Sequence, residues 1–247
     1  MKKRLNFKIQ AQPTDTTCGP ACLHAIYNYF GYSIELDQLI REVATLKEGG
    51  TLAVYLACHA LKRGFNALIY TYNLSVFDPT WFTDTSINIS EKLEQQREAK
   101  DIPILHEATR GYLEFLSLGG NLRFQDLTTS LIRKYLKRGI PILTGLSSTY
   151  LYHSLREYGY DGDWDDIRGK PAGHFVVLYG YDKEERTVMV GDPFPQNPYS
   201  ESHHYLINID RVLCSILLGV LTYDANLLII SPRKPIHHND KTNPDNR

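Results

Sequence analysis

Pro20 limits where the first helix of this chain can begin. Proline is accepted in the first turn of a helix, where its missing N–H is not needed, and breaks a helix interior. Downstream, Ala21, Cys22, Ala25, Ile26, Tyr29 and Phe30 recur at helical spacing, and Gly31 supplies a stop. Upstream, Thr14, Asp15, Thr16 and Thr17 are turn and N-cap residue types. The pattern predicts a helix over 18–30 with Cys18 at or just inside its N-terminus. There the unpaired backbone N–H groups and the positive end of the macrodipole favour a thiolate, the nucleophilic form of cysteine. Cys22, one turn further in, reads as a small buried hydrophobe.

Helical periodicity continues early in the chain and strand patterns gather late. Lys8–Gln10 reads as a short opening strand, and residues 34–43 and 52–63 as helices, with Thr51 capping the second of these and Gly64 ending it. Residues 65–72 read as a strand, 90–100, 106–118 and 127–137 as helices, and 138–145 as a turn into a buried strand. Two strands, 174–181 and 187–190, then a helix over 207–218 and a strand over 226–230 complete the pattern. Early helices and late strands imply an α+β architecture with an antiparallel sheet.

A net charge of -1, from 27 basic and 28 acidic residues, provides no field for nucleic acid or an anionic membrane. The longest apolar stretch, 212–221, is interrupted by Ser215 and Gly219 and falls short of the roughly 20 residues a bilayer-spanning helix needs. No apolar run of secretory type follows the basic start. The expectation is a cytoplasmic protein with reduced thiols, since its 4 cysteines lack the density and spacing of a disulfide scaffold. The polar segment 158–171 resembles a calcium loop only in part: Asp166 stands where a glycine is needed and Ala172 where a bidentate acid is needed. It reads as a solvated lid loop. The tail 231–247, rich in Pro, Asn and charge, reads as disordered.

A cysteine nucleophile needs a base within hydrogen-bond reach, and the base needs a third group to orient it. His174 opens one late strand and Asp192 closes its partner. With an odd-numbered loop between the strands, residues facing one another have numbers summing to an even total, and Asp192 shares the face of His174. It then lies opposite His174 or diagonal to it, about 7–8 Å between backbones. An even-numbered loop puts it on the wrong face. An oxyanion formed at Cys18 would take a donor from the Cys18 backbone N–H and from a side-chain amide, Gln12 or, failing that, Gln10. A rival reading is a zinc site drawn from Cys18, Cys22, His24, Cys58, His59, His203, His204 and Cys214, although no second closely spaced pair has finger-like context.

Three blocks, Gln12-x5-Cys18-Gly-Pro-Ala-x-Leu, Gly173-His174-Phe-Val-Val-x-x-Gly-Tyr-Asp and Val190-Gly-Asp192-Pro193, occur in this order. Together they resemble the bacteriocin-processing, double-glycine-leader peptidases and their stand-alone relatives, which are papain-like cysteine peptidases. The likeness covers residues 8–31, 51–66, 139–146 and 172–230. It implies a papain-like α+β fold, an N-terminal helical subdomain packed against a C-terminal antiparallel sheet, forming one domain over 1–230 with an insertion over 73–126. It implies Cys18 as nucleophile, His174 as general base and acid, Asp192 as the orienting group and Gln12 as oxyanion donor, acting on a peptide or protein substrate without metal or organic cofactor. The same layout resembles phytochelatin synthases, which transfer acyl groups by transpeptidation. A third alternative keeps the fold as a peptide-binding module without turnover.

Overall fold

The computed structural model describes residues 2–47, 49–159 and 163–233. The chain opens with strand β1 (Lys2–Arg4), then helices α1 (Cys18–Tyr29), α2 (Leu36–Glu42) and α3 (Ala53–Lys62), and strand β2 (Phe65–Thr71). After a 3-10 turn at Pro79–Phe82 come α4 (Ile89–Ala99), α5 (Pro103–Ser117), β3 (Asn121–Arg123), α6 (Thr129–Lys137), β4 (Ile142–Ser147) and α7 (Ser148–Tyr152). The last third holds β5 (Glu157–Tyr158), β6 (Asp163–Trp164), β7 (Gly173–Asp182), β8 (Thr187–Gly191), β9 (His204–Asn208), α8 (Ile209–Leu218), a 3-10 turn at Gly219–Thr222 and β10 (Asn226–Pro232).

The main sheet runs in the order β3-β2-β10-β4-β7-β8-β9, with β1 paired to β7, and only the β2–β3 pair is parallel. Its central strands are apolar on both sides: every residue of β4 is buried, as are Phe175 to Tyr181 of β7. Each such Leu, Ile or Val removed from water stabilises the fold by about 1.5–3 kcal/mol relative to leaving it exposed. Helix α1 packs on β7, α3 on β2 and β10, and α8 on β4 and β9. Helix α5 lies against α3 so closely that a Cβ on Gly111 would stand 2.7 Å from Val54. Val76, Phe77, Leu93, Leu105, Ala108, Tyr112 and Phe115 thereby join the same apolar cluster as α1 and the sheet. No helix among the described residues is long and apolar enough to cross a membrane.

Several expectations are corrected. The opening strand is β1 at Lys2–Arg4, whereas Lys8–Gln10 carries no strand: β1 forms because the edge of β7 offers partners to Lys2, Lys3 and Arg4. The sheet is not confined to the C-terminal half, since β2 pairs with β10 in its interior. Thr51 does not cap α3. Its hydroxyl donates to the Ala44 carbonyl at 2.7 Å, and the helix begins after Leu52, with the Asp224 carboxyl accepting from the Ala53 N–H. Strand β9 occupies His204–Asn208 and delays α8 to Ile209. Ser231 and Pro232, assigned to the tail, extend β10 by pairing with Asn66 and Phe65, while the tail beyond 233 lies outside the described residues. The short β5–β6 pair, Glu157–Tyr158 against Asp163–Trp164, opens the 158–171 segment, with 160–162 outside the described residues.

Candidate active site

The site is assembled from the N-terminus of α1, the start of β7 and the residues following β8. Cys18 is the first residue of α1 and is half-buried. Thr17 precedes it but does not cap the helix with its side chain. Its hydroxyl instead accepts from the Thr14 N–H at 3.0 Å and donates to the Thr14 carbonyl at 2.8 Å. The first-turn N–H groups of α1 are therefore not occupied by a capping side chain, which suits a developing anion beside Cys18. Gly19 is tight for a different reason: a Cβ there would stand 2.7 Å from Thr51 and 3.2 Å from Phe175, the residue after His174. The absent side chain lets α1 seat against β7.

The connection between β7 and β8, residues 183 to 186, is even-numbered, contrary to the condition under which Asp192 and His174 share a face. Near the turn the pairs are Asp182↔Thr187, Tyr181↔Val188 and Gly180↔Met189, all odd sums. The register then shifts between Leu178 and Gly180, leaving Tyr179 as the extra residue of a β-bulge, and the pairs become Leu178↔Val190 and Val177↔Gly191. Continued by one residue, that register sets Asp192 opposite Val176 and diagonal to His174. The parity expectation fails at the turn, and the bulge reverses it before the site is reached.

The His174 Nε2 donates to Asp192 Oδ1 at 2.8 Å, with both side chains buried. Cys18 is the ring's other hydrogen-bonding neighbour. Burial pulls the His174 ring down, but the Asp192 carboxylate, its hydrogen bond and Cys18 outweigh that effect and push it up to about 10. Asp192 is fully buried, which by itself pushes its carboxyl up. The charge and hydrogen bond of His174, with donors from Tyr152 and the Phe194 N–H, hold it below the ordinary carboxylate value. Cys22 is a buried thiol, pushed well up by burial and by Cys18 and Asp192, and it donates to the Phe175 carbonyl at 3.2 Å.

Gln12 is buried beside this group. Its backbone N–H donates to the carbonyl of Pro193 at 2.8 Å, tying it to the residue after Asp192. Its Nε2 donates to Thr14 at 3.0 Å, and its Oε1 is buried without a partner. Gln10, the alternative donor, instead meets His24 in an exposed contact at 3.4 Å. The rival zinc set is dispersed: His59 is held between the Tyr27 hydroxyl at 2.8 Å and Glu42 at 2.9 Å, and Cys214 is exposed. Among the described residues no group of three or more His, Cys, Asp or Glu could hold a metal ion.

Two residues of the site carry no motif. Tyr152 at the end of α7 and Tyr205 in β9 each donate a hydroxyl to Asp192 Oδ2 at 2.7 Å. Nothing in the sequence separates them from the rest of the 17 tyrosines. Only the fold, which brings α7 and β9 over the residue after β8, distinguishes them.

Comparison with known proteins finds similarity to peptidases. The Peptidase C39 family matches residues 6–87 and the Peptidase_C39 like family matches residues 105–208. No match is found among curated proteins. A putative C39-like peptidase from Bacillus anthracis is similar in structure, with a TM-score of 0.52 at 14% identity, covering 95% of this chain and 100% of that one. The peptidase domain of Streptococcus ComA, a bifunctional ABC transporter of a quorum-sensing pathway, gives a TM-score of 0.44 at 16% identity, over 92% of this chain and 100% of that one. A double glycine motif protease from an AMS/PCAT transporter, solved with its leader peptide, gives 0.44 at 14% identity, over 93% and 94%. The fold is that of the papain-like peptidases. Over these two stretches the chain is similar to the C39 peptidases, and the two family matches support a cysteine peptidase.

Proposed function

We propose that this chain is a cysteine peptidase that hydrolyses a peptide or protein substrate, with Cys18 as nucleophile, His174 as general acid and base, Asp192 as the group that orients the ring, and Gln12 as an oxyanion donor. The observation that carries the reading is the meeting of three side chains from distant parts of the chain: Cys18 and Asp192 both contact the His174 ring, with Nε2 donating to Asp192 Oδ1 at 2.8 Å. A ring held at about 10 is protonated at neutral pH, and it can therefore give a proton to a leaving amine.

In the first half-reaction the Cys18 thiolate attacks the scissile carbonyl carbon, and the oxyanion is held by the Cys18 N–H and the Gln12 amide. His174 passes its proton to the departing amine as the C–N bond breaks, leaving a thioester on Cys18. Water, losing a proton to His174, then attacks the thioester and releases the acid, which restores the thiolate. Substrate termini compared proteome-wide between the active protein and Cys18→Ala test the reading. New termini that depend on Cys18 are expected. Identical termini in both samples, with no selective alkylation of Cys18, would overturn it, and products joined to an added peptide amine would replace hydrolysis by acyl transfer.

A further inference from the structure

Asp192 has a partner at every polar atom. Its N–H donates to the His203 carbonyl at 2.9 Å, and its own carbonyl meets the His203 ring Nδ1 at 3.0 Å. Oδ1 accepts from His174 Nε2 at 2.8 Å and from the Phe194 N–H at 3.0 Å. Oδ2 accepts from Tyr152 and Tyr205, each at 2.7 Å. These lengths suit hydroxyls donating to an ionised carboxylate.

A function follows from how the donors are divided. The oxygen that faces His174 has one further partner, fixed by the local chain. The other oxygen faces away from the ring and is held only by two side chains from elements that reach the site independently, α7 and β9. A carboxylate with one loose oxygen can rotate about its terminal bond and carry the imidazole with it, because that torsion is broad. Two donors at Oδ2 remove that freedom. We propose that Tyr152 and Tyr205 are positioning residues of this site: they clamp the far oxygen of Asp192, fix the plane of its carboxylate and so aim the His174 ring at Cys18.

The clamp also reaches outwards. The Tyr199 hydroxyl donates to the Leu151 carbonyl at 2.6 Å, one residue before Tyr152, and its ring packs 4.9 Å from that of Tyr205. The Tyr152 ring in turn stacks on Phe194 at 6.1 Å. Tyr199 thus braces both arms against one another, while the chain leaving α7 leads to β5, whose Glu157 carboxyl is close enough to feel the charge of the His174 ring. The titratable groups facing the Asp192–His174 pair are Cys18 and Cys22 from α1, Tyr152 from α7, Glu157 from β5, His203 just before β9 and Tyr205 from β9. The inference rests on the reading of Cys18 and His174 as a working pair, so its test includes a measurement that needs no turnover.

Tyr152→Phe and Tyr205→Phe each remove one hydroxyl and keep the ring. Each is expected to lower kcat/KM by about tenfold, and the pair by more than either alone, the worth of one hydrogen bond to a charged group. In an Asp192→Asn background the same changes are expected to shift the rate less than about twofold, because groups acting through one residue are non-additive. Independently of activity, NMR titration of the His174 ring is expected to move upwards by about half a unit in each variant, since a carboxylate with fewer donors holds its imidazolium more strongly. Should the double variant not fold, the single variants carry both readouts. A double or single variant with unchanged rate and unchanged His174 titration would overturn the clamp, as would equal rate losses with and without the Asp192 carboxylate. A His174 titration that responds as stated in a protein that cleaves no peptide would preserve the clamp and remove the peptidase reading instead.

Discussion

Among the described residues two aspartates lie buried in opposite chemical circumstances. Asp192, beside His174, is fully buried, takes four hydrogen bonds on its carboxylate and sits below the ordinary carboxylate value. Asp224, in the turn before β10, is also buried, has an Oδ1 with no partner, and is raised well above that value by burial, which the Ala53 N–H offsets only in part. Depth is similar and the outcome is reversed. Donors decide whether a buried carboxyl is a charge or a neutral acid. At Asp192 the fold provides a ring, a backbone N–H and two hydroxyls, and the charge is available to hold an imidazolium. At Asp224 it provides one helix N–H, and the group serves α3 as a cap.

The comparison breaks most visibly in activity. Asp192→Asn is expected to lower kcat/KM by about 10⁴-fold, the scale seen when an orienting carboxylate is neutralised. Asp224→Asn should leave kcat/KM within about twofold, because the amide can still accept from the Ala53 N–H. Steady-state assays on a peptide substrate check both, and a large loss in the Asp224 variant would contradict the division drawn here. A smaller effect sharpens the role of the third buried polar side chain. Gln12→Ala is expected to lower kcat by about 10²-fold through loss of an oxyanion donor, with KM nearly unchanged. An unaltered kcat would leave Gln12 with only its ties to Thr14 and Pro193.

The smallest effect lies in stability against pH, where the two aspartates should pull in opposite directions. A carboxyl lowered in the folded state stabilises above its unfolded value and loses that contribution as pH falls, which is the case of Asp192. A raised carboxyl does the reverse: the folded state binds the proton that the unfolded chain releases, so stability declines as pH rises past the ordinary carboxylate range, which is the case of Asp224. Asp224→Asn should therefore gain on the order of 1 kcal/mol over the parent near pH 8 and gain nothing near pH 4. Urea unfolding at the two pH values measures it. A parent protein whose stability advantage over the variant grows with pH would reverse the assignment.

Much of the site was legible because its chemistry is written in local sequence. Pro20 placed the start of α1, and the His174 and Asp192 blocks flanked two recognisable strands. The illegible parts depend on distant partners. Thr51 has the chemistry of a cap, yet Ala44 takes its hydroxyl and Asp224, far along the chain, serves α3. Lys2–Arg4 has no strand pattern of its own and becomes one because β7 has an edge to offer. Strand β9 alternates His204, Tyr205, Leu206 and Ile207 too briefly to stand out from the helix that follows it. Tyr152 and Tyr205 are defined only by which carboxylate they meet. The even-numbered turn between β7 and β8 opposes the parity that sets Asp192 on the face of His174, and the bulge that restores that face has no marker at Tyr179.

That bulge has a consequence for how the hairpin can change over time. By absorbing one residue between Leu178 and Gly180, it sets the phase of the strand at its far end one residue away from the phase at its near end. The reversal between Asp182 and Thr187 can thus lengthen or shorten by pairs, or trade one residue for the loss of the kink, while the residues at 174 and 192 keep their relative orientation. Bulge and reversal thus act as a matched pair: an odd change in one has to be answered by the other if the two side chains at the opposite end are to stay on one face.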